Sequence, residues 1–158
     1  MEERLIIDVA RLASEGESIE GELDCAVLDM DGEEFIHPFA GLRYSLEVQL
    51  FGSELLVRGS LEQDFDAVCS RCGCDFDFTV KVPDFTYSVD VGEKTEFVDL
   101  TDELRQSIIL TLPAYPVCRR DCLGVCQKCG KNLNEGPCNC KAEPLGGSWS
   151  ALDAIKLP

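Results

Sequence analysis

The chain has 158 residues, 45% of them hydrophobic and 28% charged, a globular composition rather than a disordered or membranous one. No apolar run approaches the roughly 20 residues that a membrane span needs, and the acids Glu2, Glu3 and Asp8 argue against a signal or transit peptide, so a soluble cytoplasmic protein is expected. The formal charge is −16, and it is uneven: 22 acids and 7 bases lie up to Thr95, 8 acids and 7 bases from Glu96 onward.

The predicted elements begin with a short apolar stretch, Leu5 to Val9, read as an edge strand. Gly16 and Gly21 punctuate the next stretch, and Leu23, Cys25 and Val27 alternate as a strand does. Asp31-Gly32 is a turn signal. From Leu42 the alternation is clean, with Leu42, Tyr44, Leu46, Val48 and Leu50 on one face. Gly52-Ser53 marks the next turn, and Leu55, Val57 and Leu61 resume the pattern toward Val68. Phe76, Phe78, Val80 and Val82 form a further strand, running past Pro83 through Phe85 and Tyr87. Cys69-Ser70-Arg71-Cys72-Gly73 between these two strands reads as a hairpin loop carrying two thiols. The period then changes. Asp99 caps a helix near 99–111, with Asp102 in a capping-box-like position. Leu100, Leu104 and Ile108 recur at four-residue spacing, Ile109 broadens that face, and Pro113 and Pro116 stop the helix. After Cys118 apolar residues are too few for a core. Trp149, Leu152 and Ile155 place a short docking helix within Ser148 to Leu157.

Ten cysteines in a reducing compartment favour metal or redox chemistry over disulfides. Cys126-x-x-Cys129-Gly130 has the form of a metal knuckle, and Cys138-Asn139-Cys140 follows eight residues after Gly130. These four thiols suit one tetrahedral zinc. Cys69, Cys72, Cys118 and Cys122 form a second candidate site, which would clamp the hairpin to the base of the C-terminal segment. Iron is the other metal such thiol sets take. Cys25 and Cys74 are left over. The spacing of Cys122, Cys126 and Cys129 also matches the cluster motif of radical S-adenosylmethionine enzymes, but those need a large α/β barrel. A redox Cys-x-x-Cys pair lacks its βαβ context here.

Catalysis has little support. His37, the single histidine, precedes Pro38 in an expected loop. No phosphate loop and no serine–histidine pairing is evident. Glu33-Glu34 and Asp64/Asp66 read as solvated strand faces, and four-cysteine zinc sites leave no position open for water.

The hairpin Cys69–Gly73, the helix ending Leu110-Thr111-Leu112-Pro113, Cys118, the run Cys122–Gly130 and the run Asn132–Cys140 together resemble the YceD family from about Gly59 onward. Cys74 departs from the family's usual residue. The resemblance implies a non-enzymatic protein needed for accumulation or processing of large-subunit ribosomal RNA. Family genes often lie beside that of a small basic ribosomal protein.

The expected fold is α+β: an antiparallel β-sheet or partly closed barrel with one or two helices and a small C-terminal cysteine-rich zinc module. Its division is an acidic body, residues 1–117, and a zinc module with docking helix, residues 118–158. The acid excess would repel a duplex phosphate backbone and suits a basic large-subunit ribosomal protein or pre-ribosomal particle as partner. Alternation places Glu47, Glu54, Glu62 and Asp64 on the exposed sheet face that would meet it. Arg119, Arg120, Lys128, Lys131 and Lys141 outnumber Asp121 and Glu135 in the module. The alternative is therefore a nucleic-acid-binding zinc-ribbon-like module, although two four-thiolate zinc sites at a formal −2 each would cancel most of that excess. A thiol redox protein is the more distant alternative.

Overall fold

The computed structural model describes residues 4–141. In chain order the strands are β1 (Ile6–Asp8), β2 (Glu17–Leu23), β3 (Ile36–Pro38), β4 (Leu42–Phe51), β5 (Glu54–Val68), β6 (Asp75–Asp90) and β7 (Phe97–Asp99), followed by helix α1 (Thr101–Thr111). The five strands β2 to β6 make one antiparallel sheet. β5 lies at its centre. One edge of β5 pairs first with β4 and then with β3, while β6 pairs with its other edge. β2, β3 and β6 each pair with one neighbour alone, so the open sheet and not the barrel is the form adopted. A separate ribbon pairs β1 with β7.

Alternation decides which face is covered. Leu42, Leu46 and Val48 of β4, Leu55, Val57, Leu61 and Phe65 of β5, and Val80 and Phe85 of β6 are all buried. They meet Leu104 and Ile108 of α1 and the segment Val27–Leu28 in one core. Each fully buried leucine stabilises by roughly 1.5–3 kcal/mol relative to exposure. Val80 and Phe85 share this face although five residues separate them. The register explains it: Gly59 faces Phe85 and Leu61 faces Val82, so β6 carries one extra residue at Pro83-Asp84. This bulge reverses the parity of the strand and accommodates a proline that has no N–H for the ladder.

Several expectations are corrected. β2 runs straight through Gly21, over which the Tyr44 ring packs, and ends at Leu23. Cys25–Leu28 is a 3-10 turn rather than a strand, because the Asp24 side chain accepts the Ala26 N–H at 2.8 Å and ends the extended pairing. His37 sits on the short strand β3 opposite Asp66, not in a loop, while Glu33-Glu34 lie in the loop before it. The N-cap of α1 is Leu100 and not the expected Asp99, which ends β7 one residue earlier and accepts the Thr101 N–H at 2.9 Å. Asp102 stays exposed in the first turn, where it opposes the positive end of the helix dipole instead of closing a box. Ile109 faces solvent, since the helix turns only Leu104 and Ile108 fully inward. The expected helix within Ser148 to Leu157 lies outside the described residues.

Candidate metal centres

The β5–β6 hairpin extends beyond the end of β4, and its tip carries the first thiol pair. The Cys69 N–H donates to the Cys74 carbonyl at 2.8 Å and the Gly73 N–H to the Cys69 carbonyl at 2.9 Å. Gly73 takes a left-handed φ of 71°, which closes this tight turn at no Cβ cost. The chain after α1 is then tied to the tip. Ser70 donates to the Pro116 carbonyl from both its N–H and its hydroxyl. Arg71 Nη1 donates to the carbonyls of Cys122 at 3.2 Å and Arg120 at 3.4 Å, and the Arg71 carbonyl accepts from the Val125 N–H at 3.1 Å.

These ties bring Cys69, Cys72, Cys118 and Cys122 together, all four Sγ atoms within 4.8 Å of one another. The Sγ separation is 3.9 Å for Cys69–Cys122 and 3.7 Å for Cys72–Cys118. A tetrahedral ion with metal–sulfur bonds of about 2.3 Å needs about 3.8 Å between sulfurs. The donor set thus fits a thiophilic divalent ion. Burial pushes the Cys69 thiol up, but N–H groups of Cys118, Cys72 and Arg71 outweigh it and draw the value down to about 6. The Asn134 side-chain amide, 3.3 Å away, lowers Cys122. Cys72 is pushed upward, chiefly by the neighbouring Cys74 thiol, and burial raises Cys118 to about 11. Cys74 Sγ lies 3.1 Å from Cys72 Sγ, outside the converging four.

Cys126, Cys129, Cys138 and Cys140 make the second set, again with all four Sγ atoms within 4.8 Å. The Gly130 N–H donates to the Cys126 carbonyl and the Cys126 N–H to the Lys131 carbonyl, both at 2.8 Å, with Gly130 at φ 72°. Lys131 Nζ reaches the Pro137 carbonyl at 3.0 Å and holds the later pair close. N–H groups of Cys129 and Lys128 draw the Cys126 thiol down to about 6, whereas the Cys129 thiol beside it pushes Cys140 up to about 12. The two sets differ in exposure. Cys69, Cys72 and Cys122 are buried, while Cys129 and Cys140 are exposed.

Asn134, which lies in the chain between Cys129 and Cys138, reaches back to the first set, although its place in the sequence does not single it out. Its Oδ1 accepts from the Leu123 N–H at 2.9 Å and from Arg119 Nη2 at 2.8 Å, while its Nδ2 donates to Cys122 Sγ and to Asn132 Oδ1. The one local signal is Asn132-x-Asn134, a spacing suited to an Asx turn.

The four acids expected on the outer sheet face do share it, but they are not alike. Glu47 and Glu54 are exposed. Glu62 and Asp64 are half-buried in an ionic network: Arg43 reaches Asp64 at 2.9 Å and Glu62 at 3.6 Å, and Lys81 reaches Glu62 at 2.7 Å. Hydrogen bonds from Arg43 and Thr79 hold the Asp64 carboxyl below its usual range, and Lys81 does the same for Glu62. Their charge is largely answered within the sheet, a difference from Glu47 and Glu54 that alternation does not give. A shallow groove nearby is lined by Glu20, Glu47, Arg58, Ser60, Asp84 and Thr86, among others.

No helix among the described residues is long and apolar enough to cross a membrane. The family described as large ribosomal RNA subunit accumulation protein YceD matches residues 83–156. An uncharacterized protein of Mycobacterium tuberculosis is 31% identical over 125 residues, which are 70% of this chain and 60% of that protein. One of Mycobacterium leprae is 32% identical over 108 residues, 60% of this chain and 50% of its own. A chloroplastic protein of Arabidopsis thaliana, named large ribosomal RNA subunit accumulation protein YCED homolog 1, is 35% identical over 59 residues, 37% of this chain and 18% of its own. The chain thus spans about 60% of the length of the Mycobacterium tuberculosis relative. No solved structure matches. The family match opens at the β6 bulge and excludes Cys69 and Cys72, so it begins later than the resemblance from Gly59. It does take in Cys118 and Cys122, which close the hairpin set, and all four thiols of the second set; it is in these downstream residues that the chain is similar to the YceD family.

Proposed function

We propose that this protein is a non-enzymatic, cytoplasmic factor that supports accumulation or processing of large-subunit ribosomal RNA, with two structural zinc ions and a basic ribosomal protein as partner. One observation carries the reading: eight thiols converge into two four-sulfur sets, the first of which fastens the module from Cys118 onward to the hairpin of an acidic sheet. A four-thiolate set leaves no coordination position for substrate water, so the ions would hold shape and not perform chemistry. The segment from Cys118 to Lys141 contributes nothing to the main core, and metal binding would supply the free energy that orders it. In this division residues 1–117 form the body and 118–158 the appended module.

The acidic face would meet the cationic partner through Glu47 and Glu54, with Glu62 and Asp64 contributing less. Long-range attraction of this kind speeds encounter and weakens with salt. The test has two parts. Cells depleted of the protein should lose large-subunit ribosomal RNA relative to small-subunit RNA, and the wild-type chain should restore it. Unchanged ribosomal RNA on depletion would defeat the reading. Elemental analysis should find two zinc ions per chain.

A further inference from the structure

We infer that Cys72 and Cys74 form a peroxide-sensitive thiol pair, which closes a disulfide at the hairpin tip and so takes one sulfur out of the first set. The ten cysteines fall into three groups. Eight make the two sets of four. Cys25 lies in the 3-10 turn, and among the described residues no other thiol contacts it. Cys74 is a fifth thiol beside a set that is already complete. Its Sγ stands 3.1 Å from Cys72 Sγ, whereas sulfurs within the set stand 3.7 and 3.9 Å apart. Cys72 therefore has two competing uses: a share in an ion with Cys69, Cys118 and Cys122, or a bond to Cys74.

The turn between the two thiols favours the bond. Two Cα atoms separated by one residue are at most about 7 Å apart, and disulfides span about 4.4–6.8 Å. The sulfurs need to close from 3.1 Å to about 2.0 Å, a distance that side-chain rotation covers. Gly73, the residue between them, adapts most easily: its φ is 71° and an added Cβ would meet nothing within 4 Å. The same open space gives a small oxidant access to the tip, where Cys74 is half-buried rather than enclosed. The second set differs. Cys129 and Cys140 are exposed there, but no fifth thiol stands against them among the described residues.

With hydrogen peroxide as oxidant, the Cys72 thiolate attacks one peroxide oxygen. An S–O bond forms, the O–O bond breaks, and the departing hydroxide takes a proton to become water. The Cys74 thiol then attacks the sulfenic sulfur. An S–S bond forms, the S–O bond breaks, and the hydroxyl leaves as water with the Cys74 proton. The two sulfurs lose two electrons and the peroxide gains them. A loaded set holds Cys72 as the thiolate, which assigns it the attacking role. Afterwards three thiolates remain, too few for a closed four-sulfur site.

The loss of an ion rests on the structural zinc proposed above; the disulfide does not. The test treats the full-length, metal-loaded protein with a small excess of hydrogen peroxide, alkylates the free thiols and digests the chain with trypsin. Cleavage after Arg71 and Lys81 gives the peptide Cys72–Lys81, whose two cysteines are Cys72 and Cys74. That peptide should lose two hydrogens and resist alkylation until dithiothreitol is added, while Cys25 alkylates throughout. Zinc passed to a chromophoric chelator should amount to about one ion per chain, and Cys74→Ser should slow that release about tenfold or more. Cys25→Ser should match wild type. Circular dichroism certifies the variants as folded, and the peptide map of the wild-type chain needs no variant. A Cys72–Lys81 peptide that stays fully alkylated after oxidation would overturn the inference, as would zinc release from Cys74→Ser at the wild-type rate. A chain that carries no zinc as purified would defeat the structural ions instead, and its peptide map would still decide the pair.

Discussion

Ser70 donates twice to the carbonyl of Pro116, from its N–H at 2.9 Å and from its hydroxyl at 2.7 Å. This doubled bond fastens the hairpin tip to the chain leaving α1, two residues before the first thiol of the later pair. These bonds run beside the first sulfur set and help to bring its two halves together, and an ion would lock a geometry close to tetrahedral.

Ser70→Ala removes the hydroxyl bond and leaves the N–H bond. We expect a loss of about 1 kcal/mol in unfolding free energy, seen in denaturant titration. Chelator competition should show weaker metal retention in the hairpin set and no change in the second set. Equal retention in both would mean that the doubled bond does not position these sulfurs.

Metal removal should act unequally on the two sets. Cys126→Ser or Cys138→Ser should lower zinc content from two ions to one. Amide NMR signals from about Val125 to Lys141 should collapse while those of β4, β5 and β6 keep their dispersion. Cys69→Ser should instead release the module from the hairpin and expose Val117 and Phe76, which pack against the buried thiols. Retained dispersion in the first two variants would show that something other than zinc orders the module.

Alternation made much of the sheet legible, because burial of one face repeats every second residue over β4 and β5 and needs no partner to be recognised. The β6 bulge was harder. The expected strand runs past Pro83 without a break, and only the pairing of Gly59 with Phe85 reveals why Phe85 returns to the core. The 3-10 turn at Cys25 was hidden because Leu23, Cys25 and Val27 alternate regardless, and the Asp24 side-chain bond that ends the strand leaves no periodic trace. The cysteine sets were legible in spacing alone for Cys126 to Cys140. The pairing of the remaining thiols also suggested Cys69, Cys72, Cys118 and Cys122 as a set, and the fold supplies the return of the chain to the hairpin tip that brings them together. Asn134 and Arg71 were hidden, since their roles depend on contacts across the chain. Glu62 and Asp64 show the same limit from the other side: alternation gives the face, and only register gives Arg43 and Lys81 as their partners.

That network predicts a pH dependence. The Arg43 hydrogen bond lowers the Asp64 carboxyl below its unfolded value, so its stabilisation is present above the unfolded pKa of about 3.9 and is lost as pH falls through the lower folded value. Asp64→Asn should cost about 0.5–1 kcal/mol at pH 7, a modest amount because the pair is partly solvated. In urea unfolding the gap from wild type should narrow steadily from about pH 4 downward. A gap that is constant over that range would assign the loss to packing and not to charge.

Gly59 offers a sharper steric test. A Cβ there would run into the backbone carbonyl of Ser45 on the neighbouring strand, where no flexible side chain can yield. Gly59→Ala should destabilise by about 3 kcal/mol or more and separate β4 from β5 locally, seen as faster amide exchange at Ser45 and Leu46. Gly52→Ala is the contrast. Its added methyl meets nothing within 4 Å, and only its φ of 62° opposes it, so a loss of about 1 kcal/mol is expected. Equal effects at the two positions would mean that the close approach at Gly59 does not limit the pairing.

The acidic face carries the last prediction. Glu47 and Glu54 are exposed, whereas the carboxylates of Glu62 and Asp64 already bind Arg43, Lys81 and Thr79. Reversing the first two should therefore remove more attraction for a cationic protein than removing the second two, although alternation alone would rank all four equally. We expect Glu47→Lys with Glu54→Lys to weaken binding of a purified basic large-subunit ribosomal protein about tenfold at low salt, mostly through a slower association rate. Raising salt should erode the difference as the Debye length falls to roughly 8 Å. Glu62→Gln with Asp64→Asn should change association by less than about threefold while lowering stability through the lost network. Stopped-flow mixing resolves the two rates. Should the paired acids prove the more damaging to association, the partner would have to displace Arg43 and Lys81 on docking, and the contact would centre on the half-buried end of the face.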